Sequence, residues 1–303
     1  MAMVEAESAP PHAESRPSAS ARVWRRLAGQ PVALGAGIVL VVLFVIGALA
    51  PVIVPGGAKI DLTEAGRNVA PTLNGWHLFG TDGIGQDMLV RTLYGLHTSE
   101  QSAIAATLLA TVVGVVLGSL AGYRGGWVDA VVMRLADLLA VFPALMIFLA
   151  VYTYFTTVTA WKATFAFACF VWIPVARVVR AEISSLRGRE FVQAALSLGA
   201  SDRRIFFRHL LPNASGTIIV AATSVLGLVF VLEATLEFFG LGVSTAIEAT
   251  LGNLIGDGQR GVFELGEGWW TWAGPASVLV VVVVCVNLVG DGLADALRTN
   301  RRR

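Results

Sequence analysis

The composition of this chain is that of a membrane protein. Its 303 residues are 55% hydrophobic and 14% charged, with a mean hydropathy of +0.71, whereas a soluble domain carries about 25% charged residues. The net charge of +1 gives no sign of nucleic-acid binding. The two cysteines, Cys169 and Cys285, lie within apolar runs, which argues against a disulfide or metal framework.

The N-terminal region combines a polar tail with an apolar helix. Residues 1–21 are rich in Ala, Ser, Pro and Glu, a composition typical of disorder, so residues 1–30 are predicted to form a disordered cytoplasmic tail. The charge-free run 31–54 predicts a first transmembrane anchor helix. A signal peptide is the alternative, but this run exceeds the apolar core of about 7–15 residues that such peptides carry.

Six apolar segments approach the length of about 20 residues that crosses a bilayer. Only helices and closed barrels satisfy their backbone in lipid, and these segments lack the alternation of barrel strands. The predicted fold class is therefore all-α, a polytopic membrane protein with six transmembrane helices. The predicted spans lie near 31–54, 100–122, 130–154, 158–179, 214–238 and 269–293.

The distribution of arginines predicts the orientation in the membrane. With six spans both termini lie on one side, and the segments on that side hold most arginines, including seven from Arg177 to Arg208. The positive-inside rule therefore places both termini, and the basic tail 299–303, in the cytoplasm. Segment 55–97 becomes an extracytoplasmic loop. A tryptophan cluster then falls at the outer interface, as indole rings prefer: Trp269, Trp270 and Trp272.

Residues 187–213, "RGREFVQAALSLGASDRRIFFRHLLPN", form an arginine-rich segment between two apolar spans. Residues 190–198 favour a helix that Gly199 ends. Ser201 predicts the N-cap of a second short helix, and Pro212 predicts the end of that helix before the next span. The pair could present an amphipathic surface to a soluble partner, or it could lie on the membrane, held by anionic lipids.

Several stretches resemble the permeases of ABC importers. "FVQAALSLGASDRRIFFRHLLPN" resembles their EAA loop, and "LFGTDGIGQDMLVRTLYG" resembles the GTDxxGRD segment of oligopeptide and dipeptide importer permeases. "YRGGWVDAVVMRLADLLAVFP" and "NLVGDGLADALR" resemble later segments of the same subfamily, which also includes nickel permeases. The resemblance covers roughly residues 25–300 and fits the C-type transmembrane subunit. It implies a type I (MetI-like) importer bundle with a five-helix core over 98–298.

In the resembled family, the EAA loop forms a coupling helix that docks on a cytoplasmic ATPase. Departures from the family pattern include Gln193, which replaces the Glu of the motif in a role that Glu190 could take, and Gln86, which replaces the Arg of GRD. His209, Glu237 and the polar stretch 97–103 also depart from it. The resemblance implies an ATPase-docking role for the following residues: Glu190, Gln193, Ala194, Ala195, Gly199, Ala200, Ser201, Asp202, Arg203, Ile205, Phe206, Leu211 and Pro212.

The chain itself carries no nucleotide-binding motif. A Walker A loop needs G-x-x-x-x-G-K-[ST], and the two lysines, Lys59 and Lys162, are followed by Ile and Ala. We therefore expect a non-catalytic subunit with no cofactor or metal of its own. The resemblance implies two cytoplasmic ATPase domains that hold ATP and Mg, a homologous second permease and an extracytoplasmic substrate-binding protein. Peptide and membrane lipid are further expected partners, and nucleic acid is not.

Four charged residues inside the predicted spans are candidate pore or gate residues, because charge in a membrane is costly and often functional. Arg134 and Asp137 have i,i+3 spacing, which predicts a structural ion pair or, alternatively, part of a gate. Glu233 and Glu237 lie one helical turn apart. They could face the pathway and attract a substrate's cationic amine, or they could lie in water at the interface.

Small residues and prolines predict features of the helix packing. Gly114, Gly118 and Gly122 recur at four-residue spacing, a pattern that lets two membrane helices approach closely. Pro143 and Pro174 predict kinks or local unwinding in their helices.

Taken with the resemblance, the sequence predicts a permease subunit of an ATP-driven ABC importer in the bacterial inner (plasma) membrane. It would form half of the translocation pathway for oligopeptides or dipeptides. The alternatives are a permease for a nickel chelate or another small solute, a secondary transporter, which would need a midplane ion site and commonly internal repeats, and a membrane scaffold without transport activity.

Overall fold

The computed structural model describes residues 29–54, 66–73, 77–143, 146, 148, 150, 160–241 and 249–298. Within these ranges the chain forms α-helices and two π-helical turns, and no strand. The all-α prediction is therefore confirmed. Residues 1–28 of the predicted tail, the basic tail 299–303 and most of the predicted third span beyond Pro143 lie outside the described residues.

Six long helices and three short ones follow one another in the described chain. Four segments are long and apolar enough to cross a membrane: Pro31–Ile53, Met88–Arg124, Asp202–Phe238 and Trp270–Leu297. The helices are α1 (Pro31–Ile53), α2 (Met88–Arg124), α3 (Gly126–Val141), α4 (Ala160–Arg187), α5 (Glu190–Ser197), α6 (Asp202–Ile205), α7 (Leu211–Phe238), α8 (Leu251–Arg260) and α9 (Trp270–Arg298). The two π-helical turns are Phe206–Leu210 and Gly261–Leu265. Helices α3 and α4 match the two remaining predicted spans.

Helix α2 begins earlier than the sequence predicts. It starts at Met88, inside the segment 55–97 that was expected to be a loop. The Asp87 carboxylate accepts hydrogen bonds from the N–H groups of Leu89 and Val90 at 2.8 and 3.0 Å, which satisfies two of the free donors at a helix start. The polar residues from His97 onwards lie inside this helix, so hydropathy alone hides its first turns.

The predicted third span is interrupted near its middle. Helix α3 ends at Val141, and Phe142 is extended, with φ −82° and ψ 131°. Pro143 explains the break, because the ring of a proline pushes the preceding residue out of the helical region. The predicted effect of Pro143 is confirmed, whereas α4 passes through Pro174 as one helix.

Pro212 does not end the short helix before the next span, as the sequence predicted. The chain is helical without a break from Asp202 to Phe238, and Pro212 lies in the first turn of α7. The π-helical turn before it bonds the Leu211 N–H to the Phe206 carbonyl, five residues earlier. This wider turn accommodates a residue that has no N–H and whose ring crowds the preceding turn.

Small residues bring α2 and α4 into close contact. A Cβ atom added at Gly118 would lie 2.5 Å from the Ala176 carbonyl oxygen, and one at Gly122 would lie 2.6 Å from the Arg180 carbonyl oxygen. The predicted packing role of this glycine series is confirmed. Around this pair, α7 packs on α2 and α4, and α9 packs on α1, α7 and α8, with Phe230 and Leu236 of α7 in the buried core.

Candidate functional site

The coupling loop, residues 187–213, turns sharply at the predicted glycine. Gly199 has φ +77°, and it follows α5 as the left-handed residue of a Schellman motif. The Gly199 N–H donates to the Leu196 carbonyl at 2.9 Å, and the Ala200 N–H donates to the Ala195 carbonyl at 3.1 Å. This pair of bonds closes a helix end, so the predicted helix stop is confirmed.

The second helix of the loop starts where the sequence predicts. Ser201 occupies the N-cap position in an extended conformation, with φ −66° and ψ 150°, but its hydroxyl makes no capping hydrogen bond. Asp202 lies in the first turn, where its negative charge complements the helix dipole. Four residues cannot form a stable helix alone, and this segment is stabilised because it continues without a break into α7.

Three apolar side chains fix the coupling loop to the bundle. Val192, Ile205 and Leu210 are fully buried and belong to the same hydrophobic cluster as the long helices. Ile205 was predicted to contact the ATPase directly. That prediction is wrong, because a fully buried side chain cannot contact a partner. Its burial instead holds the loop against the bundle.

The exposed side of the loop combines apolar and basic residues. Leu198 is 88% exposed and Phe207 is 59% exposed. Ser201, Arg203, Arg204 and Phe207 line a shallow cavity of about 420 Å³. We call Leu198, Arg203, Arg204 and Phe207 the docking face. The predicted docking set lacked Leu198, Arg204 and Phe207. For Phe207 the reason is that helical spacing does not show which of Phe206 and Phe207 points outward.

The predicted docking residues divide between exposed and partly buried positions. Ala195, Ala200 and Phe206 pack partly against the core. Leu211 is also partly buried. The remaining predicted docking residues are exposed: Glu190, Gln193, Ala194, Gly199, Ser201, Asp202, Arg203 and Pro212.

Gln193 has a use for its amide that a glutamate could not supply. Its Nε2 group donates to the Arg187 carbonyl at 3.1 Å, at the end of α4. A carboxylate has no proton to donate at neutral pH. The replacement of the motif's Glu by Gln therefore changes an acceptor into a donor that ties α5 to α4.

The predicted ion pair within α3 is wrong. Asp137 pairs with Arg177 of α4, with 2.9 Å between Oδ1 and Nη2. Arg134 is exposed, and the structure shows no ion pair for it among the described residues. A second pair that the sequence missed joins Asp129 to Arg180 through two hydrogen bonds. Asp129 and Asp137 are about 2.2 helical turns apart, and both carboxylates bond to arginines of α4.

Glu233 and Glu237 are both buried, with 5% of each residue's surface exposed. The alternative that they lie in water is therefore wrong. Glu233 accepts a hydrogen bond from the Ser102 hydroxyl of α2, and Glu237 lies against the start of α8, where a Cβ atom added at Gly252 would be 2.7 Å from its Oε2. One oxygen of each carboxylate has no hydrogen-bond partner among the described residues. Their role in a pore stays a prediction.

At the other end of α2, a compact loop region, the cap, joins distant parts of the chain. The cap comprises residues 66–69, 77–87 and 266–270. Asp82 accepts hydrogen bonds from the Gln86 N–H at 2.7 Å and from Arg91 at 2.8 Å. The Trp270 indole donates to the Thr81 carbonyl at 3.1 Å. In the GTDGIGQD segment, the turn is closed by the backbone N–H of Gln86, which donates to Asp82. The turn therefore does not need the arginine side chain that the family has at this position.

Glu267 connects the two halves of the cap. Its Oε1 atom accepts a hydrogen bond from the Gly83 N–H at 3.1 Å, and Asn68 bonds to Gly266 and Gly268 nearby. Burial, together with the negative charge of Asp82, raises the pKa of the Glu267 carboxyl. Within the described ranges, no group of three metal-ligating side chains comes together.

Comparison with known proteins identifies the family. Residues 114–303 match the model of the binding-protein-dependent transport system inner membrane component. The chain belongs to this family. Residues 18–71 also match the N-terminal transmembrane domain of oligopeptide transport permease C. Together the two matches cover the chain except for residues 1–17 and 72–113.

Curated relatives carry the same assignment. The chain is 33% identical over 283 residues to the dipeptide transport system permease protein of Bacillus subtilis, which covers 92% of this chain and 85% of the relative. It is 34% identical over 230 residues to the oligopeptide transport system permease protein of Haemophilus influenzae, covering 76% and 72%. The corresponding Mycobacterium bovis protein is 36% identical over 226 residues, covering 73% and 75%.

These matches make the chain a multi-pass inner-membrane permease subunit of a binding-protein-dependent transport system. Such subunits carry no catalytic centre of their own as a rule. The predicted resemblance is confirmed over most of the chain, and the relatives support the peptide-permease interpretation over the nickel alternative.

Proposed function

We propose that this chain forms half of the translocation pathway of an ATP-driven importer of oligopeptides or dipeptides. The names of its relatives support a peptide cargo. The observation that carries the ATP-driven mechanism is the coupling loop, which is fixed to the bundle from inside and exposes an apolar and basic docking face. Apolar residues as exposed as Leu198 and Phe207 favour contact with a partner protein.

The proposed complex contains more than this chain. It comprises a homologous second permease, two ATPase domains that hold ATP and Mg, and an extracytoplasmic protein that delivers the peptide. The absence of a Walker A sequence supports the placement of the nucleotide on other subunits. The family description, a component of binding-protein-dependent transport, supports the delivering protein.

We further propose that both termini and the coupling loop face the cytoplasm. The arginine distribution supports this orientation. Helix α2 adds a geometric argument, because its 37 residues span about 55 Å. That length separates the cap at its first residue from the coupling loop at its last, so the two regions lie on opposite sides of the membrane.

The continuous helix from Asp202 to Phe238 suggests how docking moves the bundle. A force applied at α6 acts on α7 directly, because no flexible loop separates them. The buried anchors Val192, Ile205 and Leu210 make the coupling loop move with the bundle as one body. Closure of the ATPase pair would then shift the permease between inward-facing and outward-facing states.

The test compares two leucines of similar exposure on opposite sides of the molecule. Leu198 is 88% exposed on the docking face, and Leu73 is 89% exposed beside the cap. We expect Leu198→Glu to lose the ATPase from complexes purified in mild detergent while the second permease is retained, because a buried carboxylate disrupts an apolar contact. Leu73→Glu should keep the ATPase.

Uptake measured in the same strains tests the cargo. Cells with the wild-type chain should accumulate labelled trialanine, cells with Leu198→Glu should not, and labelled nickel uptake should be the same in both. Equal ATPase recovery from the two leucine variants would contradict the docking face. Uptake of nickel that depends on the chain would contradict the peptide cargo.

A further inference from the structure

Tyr123, in the last turn of α2, contacts both the first residue of the coupling loop and its second helical segment. Its hydroxyl donates to Oδ1 of Asp202 in α6 at 2.6 Å, across 79 residues of sequence. Arg187, at the end of α4, donates to the Tyr123 carbonyl at 2.6 Å, and its guanidinium lies 5.5 Å from the centre of the Tyr123 ring. Phe206 packs its ring edge-on at 6.4 Å.

These contacts bring three elements together at one side chain. Helix α2 ends there, α4 ends there, and α6 begins there. Asp202 is the first residue of the segment that is helical as far as Phe238. Tyr123 therefore connects this segment to the end of α2 that packs against α4. Gly122, the next residue back, lies against the backbone of Arg180. A displacement of Asp202 therefore reaches the most closely packed helix pair of the bundle through one hydroxyl group.

The Tyr123 contact is directional. A hydroxyl bonded to a carboxylate makes a short, charge-assisted hydrogen bond whose strength depends on distance and angle. Asp202 and Arg187 are exposed, so the contact adds little to the burial that holds the fold together. Such a contact fixes the position of Asp202 relative to α2 and contributes little to the stability of the fold.

We propose that Tyr123 is a positioning residue for energy coupling: its hydroxyl transmits the ATPase-driven movement of the coupling loop from Asp202 to α2. This inference depends on the proposed function, because it assumes that an ATPase moves the loop. Without the hydroxyl, the ATPase still docks and still hydrolyses ATP, but α2 follows α6 only through the buried packing of the loop, and less of the movement reaches it. Hydrolysis then proceeds with less peptide moved per ATP.

The test removes the hydroxyl and keeps the ring. Tyr123→Phe retains the packing against Phe206 and the contact with Arg187, and loses only the bond to Asp202. The complex with its ATPase and binding protein is reconstituted in liposomes, and both trialanine uptake and ATP hydrolysis are measured. We expect ATPase recovery to stay unchanged and uptake per ATP to fall by about two- to fivefold, the size of effect expected for an exposed contact with a charged group.

Two further variants separate positioning from a structural role. Asp202→Asn keeps an oxygen acceptor and should restore most of the uptake per ATP that Asp202→Ala loses. Tyr123→Phe combined with Asp202→Ala should be no worse than either alone, because both remove the same bond. The matched control is Tyr94→Phe, since the Tyr94 hydroxyl makes a bond of the same length, 2.6 Å, to the Val54 carbonyl near the other end of α2. This control should leave uptake per ATP unchanged.

The outcomes distinguish the inference from the proposed function beneath it. An unchanged ratio in Tyr123→Phe, with the ATPase present, overturns the role of Tyr123 and leaves the importer assignment intact. Failure of the wild-type chain to recover an ATPase overturns the proposed function itself. A loss of assembled complex without a change in uptake per ATP would assign Tyr123 a structural role, and so would also overturn the inference.

Discussion

At the scale of single residues, one backbone angle sets the corner of the coupling loop. Gly199 has φ +77°, and a Cβ added there would meet nothing within 4 Å. The cost of a side chain is therefore conformational only, about 1–2 kcal/mol for an ordinary L-residue in the left-handed region. We expect Gly199→Ala to reduce peptide uptake, and Gly199→Asn to retain more of it, because asparagine tolerates this conformation.

The measurement is uptake per amount of chain in the membrane, together with ATPase recovery. The control is Ser197→Gly, an exposed position of α5 outside the predicted docking set, where added flexibility costs less than about 1 kcal/mol without any constraint on the corner. Equal uptake by the Ala and Asn variants of Gly199 would show that the corner does not depend on its left-handed angle.

Residues with a local cause were predictable and residues with a tertiary cause were not. Glycine is the default residue where φ is positive, so the sequence located the corner at Gly199. The i,i+3 spacing of Arg134 and Asp137 suggested a local pair, but the partner of Asp137 lies forty residues away, in α4. Likewise, motif matching included Ile205 in the docking set although packing buries it.

At the scale of elements, the glycine series of α2 determines how closely α4 can approach. A Cβ at Gly118 would meet backbone atoms of Ala176, at 2.5 Å from its oxygen and 2.9 Å from its Cα, and backbone cannot rotate away. We expect Gly118→Ala to separate the two helices and destabilise the protein by about 1–3 kcal/mol.

Gly35 in α1 is the matched control, because a Cβ there meets nothing within 4 Å. Gly35→Ala should be neutral or stabilising, since alanine favours a helix by about 1 kcal/mol over glycine. The fraction of chain that stays monodisperse after heating in detergent measures both effects. Equal heat resistance of the Gly118 and Gly35 variants would contradict the close approach of α2 and α4.

Helix existence was easier to predict than helix ends. Six apolar segments gave the α-helical class, because only apolar length is needed for that conclusion. The ends depend on capping and on proline. The Asp87 cap was a local signal that the polar stretch after it obscured, and Pro143 stopped its helix as expected. Pro212 did not end its helix, because the π-helical turn before it accommodates a residue without an N–H. Sequence alone does not reveal that turn.

At the scale of the whole molecule, the cap ties the segment before α2 to the segment before α9. Asn68, Thr81 and Gly83 on one side bond to residues 266–270 on the other. Nothing in the local sequence predicts these pairings, which join residues close to 200 positions apart. The cap therefore holds the α2 and α9 ends together on the side opposite the coupling loop.

Glu267 makes the strength of the cap depend on pH. Its pKa is raised in the folded protein, so the folded state holds the proton more tightly than the unfolded state does. Its contribution to stability is therefore full at pH below the ordinary Glu value. That contribution is lost as the pH rises from the ordinary value through the raised one. We expect the cap to open less at pH 5 than at pH 7.

The variant Glu267→Gln removes the charge, while its amide oxygen can still accept the Gly83 N–H. Its cap should therefore lose the pH dependence that Glu267 causes. Hydrogen exchange of the Thr81, Gly83 and Gly268 amides in the purified protein, corrected for the intrinsic rate, measures opening. Other charged groups surround this carboxyl, namely Asp82, Arg91, Asp257, Arg260 and Glu264. Each variant is therefore compared with the wild type at the same pH.

Glu264→Gln is the matched control, because Glu264 is exposed in the same segment and lines the same cavity. It should keep the wild-type difference between pH 5 and pH 7. If Glu267→Gln keeps that difference as well, another group controls the cap. If Glu267→Gln removes it and Glu264→Gln does not, the proton on Glu267 sets how firmly the two chain segments are joined.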